Sequence, residues 1–325
     1  LLELIKENLI KNFNINFNNF FNKKPDLNKK ISINKINILG GGSIISPTCS
    51  EFTDYIKKND NDFLIILTTG ITDQKKCGLN EYNIYKFINN FNSFLFKNQI
   101  IKKNIENIKK NKKIFGCFRG ILEKKIFLNH NYNFDCINDI GLLSDKINDN
   151  KIINFFSKNI NKNLKLDHVN KKIILVNLIN ITGNDVFKNK NLKKIQYNKN
   201  IDFFLIEISK YLIEKDFHVV LIPFSNSLIE LKKEKHIYIE IKKKIDEKYH
   251  NCLDMFSYLT NNNNTYQNYL EIIKKSYFVV GIRLHSNIIP NSFLIPTLNI
   301  AYGIKGINYA KTNNFEKYLM TTYIE

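Results

Sequence analysis

Short apolar runs recur along this chain, and stretches of helical period separate them. ISINKINIL (31–39) and DFLIIL (62–67) stop at the glycine-containing turns GGGS and TTG. Helical patterns follow at 81–98 and 99–113, and two more strand-like runs come after them, KKIFGCF (112–118) and FDCI (134–137). The pattern fades over 146–170, which is polar and rich in asparagine, and then restarts. IILVNLI (173–179), HVVLIPF (218–224), YFVVG (277–281) and IPTLNIAY (295–302) read as strands. Residues 201–216 and 228–248 read as helices, and a further helix begins within SNIIPNSF (286–293). Alternation of this kind predicts an α/β fold, with parallel sheets joined by crossover helices. The restart predicts two such halves, domains 1–165 and 166–325, facing each other across a cleft. The tract NNNN at 261–264 is a low-complexity loop.

The remaining bulk features narrow the class. Hydrophobic residues make up 43% of the 325 and aromatic residues 13%, enough apolar surface for a sizeable core. No apolar run approaches the ~18–20 residues of a membrane-spanning helix, so no span is expected. LLELIKENLIKNF at the start has the period of an amphipathic helix and carries Glu3, Lys6 and Glu7 within it, unlike a secretory signal. Because the first residue is Leu1, the numbering is expected to begin inside a longer chain, with the opening strand of the first domain preceding it. Five scattered cysteines without CxxC or metal-ligand spacing point to buried thiols in a reducing, cytoplasmic setting.

The formal net charge is +19. The excess is lysine, spread along the chain among asparagine and isoleucine, which is what AT-rich coding produces. No nucleic-acid partner is therefore expected, although a positive surface favours an anionic substrate.

Ligands of open parallel sheets bind beyond the carboxyl ends of the strands. Polar clusters fall at three such ends: Gly40–Ser43, Asn177–Asp185 and Arg283–Asn287. The third is the most informative. Of 49 basic residues only two, Arg119 and Arg283, are arginine. In VVGIRLHSN (279–287) one of them stands two positions from His285, between a buried strand and a helix start. A guanidinium offers a planar pair of donors to carboxylate or phosphate, and an imidazole exchanges a proton near neutral pH. Arg283 and His285 are thus the candidate catalytic residues, with Ser286 and Asn287 beside them as candidate binding groups. Arg119, in IFGCFRG, either lines the same cleft or holds its own loop together. Gly41, Gly42 and Ser43 either present backbone N–H groups to a ligand or make a tight strand-to-helix turn. Tyr302 and Lys305 follow the last strand in YGIKG, where a lysine can place a point charge. No cluster has metal-ligand spacing.

In their order, ILGGGSII (38–45), ILTTGITD (66–73), FRG (118–120), DIGLL (139–143), VVGIRLHSNII (279–289) and IPTLNIAYGIK (295–305) resemble the motifs of the polysaccharide pyruvyl transferase family. The likeness runs from about residue 35 to 310, and the last two motifs are its most specific part. It implies two Rossmann-like domains with parallel sheets facing a cleft, in a GT-B-like arrangement, the first on the acceptor side and the second on the donor side. It implies phosphoenolpyruvate as donor, a glycan or polysaccharide acceptor, a pyruvate ketal across two sugar hydroxyls as product, and no metal or other cofactor. Arg283 and His285 would belong to the reactive centre. The chain also departs from the family. Relatives often carry an arginine at the end of the first strand of the second half, where this chain reads LVNLINITGND, with Asn177 and Asn180. DIGLL replaces Asp-Pro-Ala-Leu-Leu, and Ser225 stands where some relatives have histidine. Two other readings stay open: a nucleotide-sugar glycosyltransferase of the same architecture, with Glu271 as the nearest acidic residue for a donor ribose, and a catalytically degenerate member that binds a glycan or a polyanion.

Overall fold

The computed structural model describes residues 36–40, 63–69, 114–128, 131, 133–137, 169–179, 194–224, 228–260 and 266–321. The chain separates into two compact units, Leu1–Ile140 and Gly141–Glu325. The expected boundary at 165/166 falls outside the described residues. So do the helical patterns at 1–13, 81–98 and 99–113, and the motif DIGLL.

The described part of the first unit is a four-stranded parallel sheet in the order β1-β2-β3-β4. Its strands are β1 (Ile36–Gly40), β2 (Phe63–Thr69), β3 (Ile114–Phe118) and β4 (Asp135–Cys136). Helix α1 (Ile121–Leu128) connects β3 to β4. Phe118 is fully buried and meets Phe134 edge to face at 5.4 Å, the geometry favoured by ring quadrupoles.

The second unit holds a six-stranded sheet, parallel throughout, in the order β10-β9-β8-β5-β6-β7. The strands are β5 (Ile173–Leu178), β6 (His218–Pro223), β7 (Leu253–Met255), β8 (Ser276–Gly281), β9 (Thr297–Ala301) and β10 (Leu319–Thr321). Three strands run outward from β5 in one direction. The chain then returns to β8 on the other side of β5 and runs outward again. This is the strand order of a Rossmann-like sheet, and its topological switch point lies between β5 and β8.

Both faces of the sheet are covered, which is why its central strands read as mostly apolar runs. Side chains alternate along a strand. Ile174, Val176 and Leu178 therefore enter one core with Val219, Leu221 and Val280. Against it pack α2 (Lys194–Glu214), through Ile201, Leu205 and Ile213, and α3 (Leu228–Lys242), through Ile237 and Ile241. Ile173, Leu175, Val220, Ile222 and Val279 enter the opposite core. That core is covered by the short α4 (Phe256–Leu259), by α5 (Tyr266–Lys275) and by α6 (His285–Ser292). Helix α7 (Ile304–Thr312) follows β9.

Several boundaries differ from the sequence expectation. The helix expected at 201–216 begins at Lys194. The helical run 228–248 stops at Lys242, and a 3₁₀ turn, Glu247–Cys252, leads into β7. Strands β7 and β10 have three residues each, too few to show a period; pairing with β6 and β9 defines them. Among the described residues, no helix is long and apolar enough to cross a membrane.

Candidate functional site

Alternation puts the side chain of Asn177 on the face of Ile173 and Leu175, one residue before the carboxyl end of β5. It is fully buried. Its Oδ1 accepts the backbone N–H of Ile282 (3.2 Å) and of Arg283 (2.8 Å). The Ser286 hydroxyl sits 3.0 Å from the same oxygen and 2.6 Å from the Arg283 carbonyl, two acceptors for its one proton. Asn177 Nδ2 donates to the carbonyls of Leu178 (3.0 Å) and Ile222 (3.1 Å). One carboxamide thus uses both ends: the oxygen holds the β8–α6 turn and the amide ties β5 to β6.

A second buried carboxamide continues the brace. Asn287 Nδ2 donates to the Arg283 carbonyl (3.0 Å) and to Asn299 Oδ1 on β9 (3.2 Å), and Asn299 Nδ2 donates to the Gly306 carbonyl (3.0 Å). Gly281 lets this happen by close approach. A Cβ there would stand 2.4 Å from Asn287 Oδ1 and 2.9 Å from the Ser286 carbonyl. Pro290, inside α6, has no N–H for that carbonyl four residues earlier.

The turn so held presents Arg283 and His285. Arg283 keeps 34% of its side chain exposed, and its Nη2 donates to Oε1 of Glu230 in a close ion pair. Glu230 enters from the first turn of α3, after β6, with a side chain only 3% exposed. Since β5 lies between β6 and β8, this pair spans the carboxyl end of β5 at the switch point. One turn along α3, Glu234 is fully buried. Its Oε1 accepts the Ser257 N–H at 3.2 Å, and its Oε2 is buried without a hydrogen-bond partner. Burial pushes the Glu234 carboxyl up to about 7, against the opposing pull of hydrogen bonds from Ser257 and Phe256. Tyr269 on α5 donates its hydroxyl to the Pro223 carbonyl. Burial raises its pKa, the charges of Glu234 and Glu230 raise it further, and Arg283 draws it back. These four groups therefore form one electrostatic neighbourhood.

The structure distributes the sequence candidates unevenly. Arg283 and exposed His285 stand beyond β8, while half-buried Tyr302 and Lys305 stand beyond the adjacent strand β9. Tyr302 packs against the core on the α2–α3 face. Asn177, Ser286 and Asn287, expected to bind substrate, are fully buried; Asn177, the Ser286 hydroxyl and Asn287 Nδ2 bond protein partners, while Asn287 Oδ1 is buried without a hydrogen-bond partner. They brace the turn instead of lining a surface. Arg119 belongs to the first unit, buried between β3 and α1 at 8% exposure. Gly41, Gly42, Ser43, Asn180 and Ser225 lie outside the described residues. Glu271 is half-buried on α5. Among the described residues no group of three or more His, Cys, Asp or Glu could hold a metal ion.

Sequence reasoning missed Glu230 and Glu234. Their signal was present: spaced four apart, they extend the buried stripe of Ile237 and Ile241, while Leu228 (75%) and Ile229 (58%) face outward. Carboxylates on the inward stripe of a helix, with aliphatic side chains displaced from it, mark a polar site under the helix.

Fold and site together define an α/β chain whose second unit has a Rossmann-like sheet and, at its switch point, a braced turn presenting a paired arginine and a histidine. No protein-family model and no curated protein matches the chain.

Proposed function

We propose that the protein transfers a pyruvyl group from phosphoenolpyruvate to two hydroxyls of a glycan sugar, forming a pyruvate ketal and releasing phosphate. The observation that carries this reading is the buried brace that aims Arg283 and His285 out of the switch-point turn. A side chain on a turn held by buried carboxamides is pre-organised, as anion recognition and proton transfer require. Motif order, from ILGGGSII through IPTLNIAYGIK, supplies the family likeness.

In this reading the two units form the lobes of a GT-B-like enzyme and the donor binds the second. One sugar hydroxyl adds to C2 of the enol phosphate while C3 gains a proton and becomes a methyl group. The second hydroxyl then bonds to C2 as the C–O bond to phosphate breaks, and its proton leaves with the phosphate. His285 moves these protons. Arg283 binds an anionic group of the donor.

The test is incubation of the full chain with phosphoenolpyruvate and a panel of glycans, reading phosphate release and, by mass spectrometry, ketal formation. His285→Ala is expected to lower kcat by ~100-fold or more with an unchanged unfolding midpoint. Binding of the donor with no turnover on any acceptor would overturn the proposal.

A further inference from the structure

Resting on that reading, the geometry points to Glu230 as a specificity-determining residue: it reserves Arg283 for the carboxylate end of the donor and turns the phosphate end away. Three observations carry this. The Glu230 carboxylate is almost wholly buried against the guanidinium, so it is a fixed component of the site and not a solvated neighbour. Of the guanidinium nitrogens, Nη2 is engaged by Glu230 and Nε is buried without a hydrogen-bond partner, so an incoming ligand meets the Nη1 end. Lastly, the pair is neutral as a unit, and a second buried carboxyl, Glu234, lies one turn further along the same helix.

A planar monoanion can use the directional donors at that end without needing a full uncompensated positive charge. A phosphate dianion there doubles its attraction to Arg283 but also its repulsion from Glu230, so Glu230 takes from the dianion much of the advantage that an unpaired arginine would give it. One additional unit of negative charge about 6 Å from Glu230, in a half-exposed setting, weakens binding by on the order of tenfold. The phosphate is thereby directed to the other basic groups beyond the same strand ends, His285 and Lys305. Arg283 would then orient the donor by its carboxylate, with C2 and C3 between the two anion sites.

The experiment titrates the full chain with sodium pyruvate and, separately, with inorganic phosphate, by ligand-observed NMR. Expected for Glu230→Gln, which keeps a hydrogen-bond acceptor and removes the charge, is a gain in phosphate affinity on the order of tenfold larger than the gain in pyruvate affinity. Arg283→Met is expected to weaken pyruvate by at least about tenfold and to leave phosphate within about threefold. Because Arg283→Met removes the ion-pair partner of buried Glu230, the double variant Glu230→Gln/Arg283→Met serves as a folded control and is expected to lose pyruvate equally. An equal gain for both ligands in Glu230→Gln, retained pyruvate binding in the double variant, or no pyruvate binding by the unmodified chain would overturn the assignment. Turnover is a separate readout. Correct discrimination without ketal formation on any glycan would overturn the transferase reading alone, and ketal formation with unaltered selectivity in Glu230→Gln would overturn the role of Glu230 alone.

Discussion

Asn177→Asp changes one NH₂ group to an oxygen and little else, so its effect isolates the brace beneath the candidate site. The native Nδ2 donates to two carbonyls, Leu178 and Ile222, at 3.0 and 3.1 Å. An ionised aspartate would set an oxygen against both, in a position with no solvent exposure. Protonation relieves part of this. Holding the acid neutral at pH 7, about three units above its usual value, costs about 4 kcal/mol and returns one donor for two carbonyls. The unpaired carbonyl adds about 1 kcal/mol or more. The expected loss is about 4–5 kcal/mol near neutral pH, a large share of the ~5–15 kcal/mol by which domains are stable. Urea unfolding at about pH 7 and about pH 4.5 measures it. The gap to the unmodified protein should narrow at the lower pH, where protonation costs less. A loss below about 1 kcal/mol at pH 7 would refute the reasoning, because it would mean that water or a ligand reaches this side chain and that Asn177 faces a binding surface after all.

Other perturbations follow from the same neighbourhood. Glu234 titrates near 7 when folded and near 4.5 in its ordinary range. Its stabilising contribution is complete below about pH 4.5 and is lost as pH rises through 7, about 3 kcal/mol in all. Urea midpoints of Glu234→Gln, which cannot ionise, should lack this fall when compared with the unmodified chain across the same pH range. A parallel pH dependence in the two proteins would show that Glu234 is not the group responsible. Gly281→Ala places a methyl group 2.4 Å from Asn287 Oδ1. It should lower stability by about 1–3 kcal/mol and raise KM for the donor through displacement of the Arg283 turn. Thermal unfolding and steady-state kinetics check both, and an unchanged KM with lowered stability would separate the brace from the site.

The strands at 36–40, 63–69, 114–118, 173–178, 218–223 and 276–281 were legible as short, mostly apolar runs, the pattern of parallel strands. The turn at Arg283 and His285 was legible because arginine is scarce here and stands at a strand end. These features are local, and a linear reading reaches them. Strand order was beyond it, since the return from β7 to β8 across β5 depends on which buried faces match in space. So were β7 and β10, whose three residues become strands only by pairing with neighbours already in place. The tertiary structure also changed the meaning of single residues. Asn177 looked like a ligand group and is a brace, because its partners Ile282, Arg283 and Ser286 lie more than a hundred positions away. Glu230, not among the sequence candidates, is the counter-ion of Arg283, 53 positions apart. A polar side chain acquires its role from the groups that satisfy its hydrogen bonds and charge, and only folding decides which groups those are.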